Sequence, residues 1–430
     1  GTANATVSYT INGGATQTVA LDATGQATLN TGALTADATY TLTNVSTSGT
    51  PSCSQTLTDS ATVTVLPLPT ATIVATDTSV CTNDATTLTI SGTPNATVGY
   101  TINGGATQTA TLDATGQATL NTGALTADAT YTLTNVSSSG TPSCSQTLTD
   151  SATVTVLPLP TATILDTSVC TNQTATLTVS GTANATVSYT INGGALQTVT
   201  LDATGNGSIT TGVLTADATI NLTQASTSGT PSCSQTLTDS ATVTVLPLPT
   251  ATITATDSSV CTNDATTLTI SGTANATVSY TINGGATQTV ALDATGQATL
   301  NTGALTADAT YTLTNVSTSG TPSCSQTLTD SATVTVLPLP TATIVATDTS
   351  VCTNDATTLT ISGTPNATVG YTINGGATQT ATLDATGQAT LNTGALTADA
   401  TYTLTNVSSS GTPSCSQTLT DSATVTVLPL

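Results

Sequence analysis

The chain of 430 residues contains one string five times: CSQTLTDSATVTVLPL, which occupies Cys53–Leu68 and begins again at Cys144, Cys233, Cys324 and Cys415. The copies begin 91, 89, 91 and 91 residues apart, and residues 1–159 are repeated letter for letter at 272–430. A period of roughly 90 residues is too long for one coil of a solenoid, but it suits an autonomous β-sandwich domain.

Proline-rich junctions mark the borders between the repeated units. Each junction reads Leu-Pro-Leu-Pro, and proline there blocks ladder pairing and stiffens the connection. The sequence therefore predicts a partial unit followed by four complete ones, with the boundaries 1–68, 69–159, 160–248, 249–339 and 340–430. We expect a rod with limited bending at each joint.

Within one unit, residues 69–159, the pattern indicates about seven short strands and no helix. Leu88 and Ile90 alternate with threonine, as do the apolar residues of the stretch 96–103. Asn103-Gly104-Gly105 is the kind of turn that closes a tight hairpin through positive φ. Two packed antiparallel sheets bury such strands, so the predicted fold class is all-β.

The composition excludes most binding and catalytic chemistry. Lys, Arg, His and Glu are absent, and the 22 acidic residues are all Asp, so the formal net charge is -22. Without Lys or Arg the chain lacks phosphate-binding side chains, which argues against nucleic acid and anionic membranes as direct ligands. Without an imidazole or a lysine amine, it is predicted to be no enzyme and to use no cofactor. No apolar run approaches the roughly 18–20 residues of a spanning helix, so direct membrane insertion is not expected.

The nine cysteines alternate between a constant and a variable spacing. The interval inside a unit is always 63 residues, whereas the interval across a linker is 26 or 28. We therefore predict one intradomain disulfide in each complete unit, with the pairs Cys81–Cys144, Cys170–Cys233, Cys261–Cys324 and Cys352–Cys415. Cys53 is left without a partner. The alternative is pairing across a linker, as in Cys53–Cys81, whereas metal binding is disfavoured because the chain has no His and no Cys-x-x-Cys.

Several motifs together resemble a known class of repeat. These are SVCTNDATTLTISGT at Ser79–Thr93, the YTINGG hairpin, the recurring CSQTLTDSATVTV and the Pro-Leu-Pro-Thr-Ala joint. They look like the tandem immunoglobulin-like (PKD-like) repeats of giant Bacteroidota cell-surface proteins, such as gliding-motility-type adhesins. The resemblance implies a linear array of immunoglobulin-like antiparallel β-sandwich domains in a surface filament, stalk or adhesin. Disulfides likewise imply an oxidising, extracellular location.

Two sets of side chains are candidates for ligand binding or modification. Paired aspartates near the unit junctions could offer oxygen ligands to Ca²⁺, although solvated charges that keep the rod soluble are the favoured interpretation; the pairs are Asp77 and Asp84, Asp257 and Asp264, Asp348 and Asp355. An Asp-Ser-Ala triplet in every unit resembles the O-glycosylation acceptor of Bacteroidota. Its serines are Ser60, Ser151, Ser240, Ser331 and Ser422. The alternative for them is a polar start to the last strand.

One aspartate–tyrosine pair resembles the tyrosine corner of immunoglobulin folds. Asp128 and Tyr131 have the Asp-x-x-Tyr spacing, in which the tyrosine hydroxyl ties down a loop. In the third unit, residues 160–248, Ile220 replaces this tyrosine. A plain core residue is therefore the favoured interpretation.

Two functions agree with these features. Near-identical units favour an extracellular structural filament or stalk that associates with itself as a repeat array or fibre. The alternative is a multivalent cell-surface adhesin that binds glycans through repeated faces.

Residues 1–68 lack counterparts of 70–91, so we expect either a longer repeat array or strands donated by a neighbouring subunit. The identity of 1–159 with 272–430 favours the longer array.

Overall fold

A computed structural model describes residues 1–429, and all regular secondary structure in them is β-strand. The partial unit contains the strands β1 (Thr6–Ile11), β2 (Gln17–Ala20), β3 (Ala38–Ser46), β4 (Ser54–Thr56) and β5 (Ser60–Val63). The unit at 69–159 contains β6 (Ala71–Ala75), β7 (Ser79–Cys81), β8 (Thr87–Gly92), β9 (Thr97–Ile102), β10 (Gln108–Thr111), β11 (Gln117–Asn121), β12 (Ala129–Ser137), β13 (Ser145–Thr147) and β14 (Ser151–Leu157).

The other three units each have nine strands in the same order. The unit at 160–248 contains β15 (Ala162–Ile164), β16 (Thr167–Cys170), β17 (Gln173–Gly181), β18 (Thr186–Ile191), β19 (Gln197–Thr200), β20 (Asn206–Leu214), β21 (Ala218–Ser226), β22 (Ser234–Thr236) and β23 (Ser240–Leu246). The unit at 249–339 contains β24 (Ala251–Ala255), β25 (Ser259–Cys261), β26 (Thr267–Gly272), β27 (Thr277–Ile282), β28 (Gln288–Ala291), β29 (Gln297–Asn301), β30 (Ala309–Ser317), β31 (Ser325–Thr327) and β32 (Ser331–Leu337). The unit at 340–430 contains β33 (Ala342–Ala346), β34 (Ser350–Cys352), β35 (Thr358–Gly363), β36 (Thr368–Ile373), β37 (Gln379–Thr382), β38 (Gln388–Asn392), β39 (Ala400–Ser408), β40 (Ser416–Thr418) and β41 (Ser422–Leu428).

Each complete unit is a sandwich of two sheets. In the unit at 69–159, β6, β8 and β11 form a three-stranded sheet in the order β11-β8-β6. The facing sheet has the order β10-β9-β12-β14-β7, with β13 paired to β12. The opening segment contributes to both sheets, because β6 pairs with β8 whereas β7 runs parallel to β14. This topology confirms the predicted all-β array of immunoglobulin-like sandwiches. Within residues 1–429 there is no helical segment of the length and apolarity that crossing a membrane requires.

Small aliphatic side chains form the core between the two sheets. Leu88 and Ile90 from one sheet and Val98 and Leu133 from the other are completely buried. The alternation that predicted inward-facing residues in β8 and β9 is therefore confirmed. The predicted hairpin turn is confirmed as well: Asn103 and Gly104 have φ of 51° and 71°, the positive values that a tight two-residue turn needs.

The partial unit shows what the missing opening segment does in the others. Gly1 aligns with Gly92, so residues 1–68 contain no counterpart of β6, β7 and β8. Residues 26–30, the counterpart of β11, form no strand, because their partner strand is absent. β5 has four residues where β14 has seven. Leu42 is partly exposed, although its counterpart Leu133 is fully buried.

The prediction of one disulfide inside each unit is wrong, because the two cysteines of a unit lie at opposite ends of its sandwich. Cys81 is level with Leu157, the last residue of β14. Cys144 directly precedes β13, which pairs with the far end of β12. The nine residues of β12 lie between these positions, which at roughly 3.3 Å per residue is about 30 Å. A disulfide requires Cα atoms roughly 4–7 Å apart.

Candidate functional site: the joints between domains

Disulfides cross the joints between neighbouring complete domains. The pairs are Cys81–Cys233, Cys170–Cys324 and Cys261–Cys415, and each has a Cα–Cα distance of 5.5 Å. None of the intradomain pairs Cys81–Cys144, Cys170–Cys233, Cys261–Cys324 and Cys352–Cys415 is formed, and neither is the alternative Cys53–Cys81. Each bond joins the first cysteine of one domain to the second cysteine of the next domain.

The first cysteine of each pair is held at the C-terminal end of its domain. In the third unit β16 pairs in parallel with β23, which places Cys170 opposite Leu246. Thr171 fixes this register, because its backbone N–H and its hydroxyl both donate to the Leu246 carbonyl oxygen at 2.9 Å. The Cys170 sulfur is thereby placed beside the linker at 247–250, facing the next domain.

The second cysteine of each pair sits in a loop that reaches back over the joint. In the third unit this loop, residues 227–233, connects β21 to β22. It is closed by two hydrogen bonds: the Thr227 N–H donates to the Cys233 carbonyl oxygen at 2.9 Å, and the Cys233 N–H donates to Thr227 Oγ1 at 3.0 Å. Cys233 is 1% exposed, so this disulfide is shielded from solvent on that side.

The loop and the preceding domain enclose a shallow groove at the joint. At the first crosslinked joint the groove has a volume of about 480 Å³. Its lining includes Asp77 and Asp84 from one domain, and Thr230 and Pro231 from the loop of the next. The loop tip therefore lies directly against the neighbouring domain.

In each aspartate pair considered as a calcium site, the first aspartate has a protein partner. Asp77 Oδ2 accepts a hydrogen bond from Thr86 Oγ1 at 2.6 Å, and Asp257 and Asp348 accept the equivalent bonds from Thr266 and Thr357. No group of three or more His, Cys, Asp or Glu side chains suited to a metal ion occurs within residues 1–429. For the pairs Asp77 and Asp84, Asp257 and Asp264, Asp348 and Asp355, solvated charge stays the favoured interpretation and calcium binding the alternative.

The aspartate of the Asp-Ser-Ala triplet connects the two sheets, a role that sequence reasoning missed. Asp239 Oδ2 accepts a hydrogen bond from the Ile164 N–H at 2.9 Å, so the residue before β23 secures the edge strand β15. The same bond measures 2.8 Å in the other complete units, from Asp150, Asp330 and Asp421. This aspartate recurs in all five copies of the string CSQTLTDSATVTVLPL, and that recurrence was the available signal.

The serines of the same triplets are accessible. All five are exposed at the start of the last strand of their units: Ser60, Ser151, Ser240, Ser331 and Ser422. O-glycosylation at these positions stays a prediction.

The tyrosine-corner motif has a different geometry from the one that its spacing resembles. Asp128 Oδ1 accepts a hydrogen bond from the Val156 N–H at 2.7 Å and so secures β14. Tyr131 is 3% exposed in the core, and burial, with a smaller contribution from Tyr100, raises the pKa of its hydroxyl. Ile220 takes its place in the third unit and is fully buried, so the position is a core position.

The Asp-Ala-Thr-Gly turns hold a carboxylate in a set of hydrogen bonds. Asp202 Oδ1 accepts from the backbone N–H groups of Thr204 and Asn206 at 2.8 and 3.0 Å and from Thr204 Oγ1 at 2.7 Å. These bonds, first of all that from the Asn206 N–H, lower the pKa of Asp202. Hydrogen bonds to the ionised carboxylate favour the charged form.

Three cysteines have free thiols: Cys53, Cys144 and Cys352. The loop that carries Cys144 has the same closing bonds as its crosslinked counterparts, with the Cys144 N–H donating to Ser138 Oγ at 3.0 Å. The crosslinking cysteines are therefore set in their positions by the fold of each domain and not by the disulfide.

No protein-family model matches the chain, and no curated protein matches it either. Solved structures with tandem domains do match. The titin I-band fragment I67–I69 is 14% identical, with a TM-score of 0.34, over 63% of this chain and 98% of that one. The Escherichia coli adhesin FdeC is 16% identical, with a TM-score of 0.33, over 62% and 96%. The N-terminal eight immunoglobulin domains of Down syndrome cell adhesion molecule are 13% identical, with a TM-score of 0.29, over 99% and 56%. At these values the proposed function rests on the chain's own residues.

Proposed function

We propose that this protein is an extracellular structural filament or stalk at a cell surface, and that its stiffness comes from the joints. The observation that carries the proposal is the set of disulfides that cross each joint between complete domains. The likeness of the repeat motifs to Bacteroidota surface proteins supports this location. So do the disulfides, because they persist in oxidising compartments.

A second covalent connection restricts motions that a linker alone permits. Two domains joined by a single peptide can swing and twist about it. Here the second proline of each linker is buried, at positions 69, 160, 249 and 340, which limits swinging. The disulfide adds a second attachment point on the loop of the next domain, so that both bending and twisting would have to deform a folded sandwich.

The charge supports a role as separate, solvated rods. The chain has a formal net charge of -22 and no Lys or Arg. Charge of one sign keeps proteins soluble and apart. Self-association into a fibre would therefore run end to end, where the contact area between like-charged surfaces is smallest.

An adhesin with several identical binding faces is the second candidate. It is favoured by a polar threonine pair on the exposed face of several units: Thr130 Oγ1 lies 2.9 Å from Thr153 Oγ1, and Thr310 and Thr333 repeat this spacing. Identical faces along a rod would bind a surface glycan by multivalency. A glycan-array experiment tests this, and binding by the full chain that a single unit lacks would support it.

The stalk proposal is tested by imaging single molecules. The distribution of bend angles of the oxidised chain, measured by rotary-shadowed electron microscopy, should be narrow and should broaden after reduction with a dithiol. The double variant Cys170→Ser/Cys324→Ser should broaden it at one joint only. An equally broad distribution in the oxidised and reduced chains would reject the proposal.

Glycans on the exposed serines of the Asp-Ser-Ala triplets would further separate and solvate the rods. Intact mass of protein from its native source tests this. A Ser240→Ala variant should lose the glycan of that serine and keep those of the other four. An Asp239→Asn variant should lose the same glycan if the glycosyltransferase recognises the aspartate.

A further inference from the structure

We propose that the disulfides divide the array into two interleaved covalent threads that carry tension, so that most of each domain lies outside the path of the load. This inference rests on the proposed filament function. Its basis is the connectivity of the crosslinks. Each thread crosses one joint through a disulfide and the next joint through the peptide linker.

Each thread is a short segment of chain followed by a disulfide. The first thread crosses from Cys81 to Cys233, follows residues 233–261 through the linker, and crosses from Cys261 to Cys415. The second thread follows residues 144–170, crosses from Cys170 to Cys324 and follows residues 324–352. The two threads therefore alternate along the array.

The thread segments are already extended in the folded protein. Residues 233–261 consist of β22, β23, the linker, β24 and β25, so that they run along one domain and then along the next. The interval of 28 residues spans about 100 Å at roughly 3.5 Å per residue when fully stretched. Little length remains for tension to draw out.

The rest of the chain is enclosed in covalent loops that tension bypasses. Cys81 and Cys233 are separated by 152 residues, and Cys261 and Cys415 by 154. Force that reaches Cys81 passes directly to Cys233, so residues 82–143 and 171–232 lie outside both threads. These enclosed residues include most of the core of two domains.

Hydrogen bonds couple the two threads within each domain. In the third unit β16 belongs to the second thread and β23 to the first, and the two strands pair in parallel from Thr167↔Val243 to Cys170↔Leu246. The units at 69–159, 249–339 and 340–430 have the same parallel pair. Pulling one thread past the other loads all bonds of the pair together, so the threads share tension.

The maximum length of a single stretched molecule tests the load path. The full chain, with handles fused to both termini and with Cys53, Cys144 and Cys352 alkylated, is stretched by force spectroscopy. The taut path runs over residues 1–81, 233–261 and 415–430, which is about 430 Å. A dithiol reductant converts each disulfide to two thiols and itself becomes a cyclic disulfide, after which the limit should rise to about 1,500 Å. A limit near 1,500 Å before reduction would overturn the proposal.

Two matched double variants separate the threads. Cys170→Ser/Cys324→Ser removes a bond that lies outside the shortest path, so the limit should stay at about 430 Å. Cys81→Ser/Cys233→Ser forces the path over residues 1–170, 261–324 and 415–430, which is about 860 Å. Equal limits in the two variants would refute the assigned threads. Unchanged far-ultraviolet circular dichroism in both variants excludes misfolding as the cause.

The load path and the stalk proposal can fail separately. A chain that stops at about 430 Å under force, but shows broad bend angles in images, has the threads and is not stiff. A chain that has a narrow distribution of bend angles but extends to about 1,500 Å under force is stiff for another reason and lacks the threads.

Discussion

At the scale of single residues, aspartate carboxylates supply the hydrogen-bond acceptors that hold strands and turns in place. The chain has no Lys or Arg to form ion pairs, so carboxylates accept backbone N–H groups instead. Asp239 bonds to Ile164 in the facing sheet, and Asp202 organises its own turn. The third unit is suited to testing both, because its sequence differs from those of the other units.

Removing the Asp239 carboxylate should expose the edge strand β15. In an Asp239→Ala variant the Ile164 N–H loses its partner, which costs about 1–3 kcal/mol. We expect the Ile164 amide to exchange its hydrogen roughly 10-fold faster or more, as measured by mass spectrometry of the fragment at 160–170. Asp239→Asn keeps an acceptor oxygen and should retain most of the protection. Equal protection in wild type and Asp239→Ala would contradict this role.

The turn at Asp202 should weaken in acid. Its pKa is lowered in the folded protein relative to an unfolded value of about 3.9. The stabilisation is therefore complete above about pH 4 and is lost as the pH falls through the lower folded pKa. Thr204→Val removes the hydroxyl donor, and carboxyl NMR should then show the Asp202 pKa moving up. Asp293 and Asp384, whose pKa values are also lowered, are the internal controls, and an unmoved Asp202 would show that the hydroxyl is irrelevant.

At the scale of elements, the strands and turns could be predicted from the sequence because their signals are local. The alternation of β8 and the glycines of the hairpin follow from side-chain period and backbone freedom. Gly193 and Gly205 illustrate two different reasons for glycine. Both have positive φ, 67° and 82°, but only Gly205 also lies against backbone, at the carbonyl oxygen of Gly181.

Alanine at these two glycines should therefore have unequal effects. Gly193→Ala meets no atom within 4 Å and should cost about 1–2 kcal/mol for the left-handed backbone. Gly205→Ala adds a collision with the Gly181 carbonyl and should cost about 2–5 kcal/mol. Amide exchange of β18 and β19 measures the first effect, and amide exchange of β17 and β20 measures the second. Equal losses of protection would mean that the close approach of the two glycines is unimportant.

The disulfide pairing could not be predicted from spacing, because the constant interval of 63 residues is compatible with both connectivities. In a repeat array, pairing with the next unit leaves the spacing within each unit just as regular. The two-residue deletion near Leu165 falls in β15, which has three residues where β6 has five. An edge strand absorbs this change without moving either cysteine. Only the placement of Cys81 and Cys144 at opposite ends of β12 distinguishes the pairings.

At the scale of the whole molecule, the decisive feature is the set of disulfides between neighbouring complete domains. The proposed stiffness of the joints and the two proposed tension-carrying threads both rest on that single feature. In a chain with the same sandwiches and one disulfide inside each domain, the linker would be the only covalent connection between neighbouring domains. The domains would then move independently of one another.

The most direct test is peptide mapping of the third unit without reduction. Because the chain has no Lys or Arg, the protease used is one that cleaves before aspartate. It is applied to a Cys53→Ser chain, since fragment 37–58 otherwise has the same sequence as 308–329. The protease releases Cys170 in fragment 166–201, Cys233 in 217–238 and Cys324 in 308–329. Fragment 217–238 contains Gln224 and Ala225 in place of the Asn and Val of the other units, so it is identified by mass. We expect fragment 166–201 linked to fragment 308–329 through Cys170–Cys324. Recovery of 166–201 linked to 217–238 would contradict it.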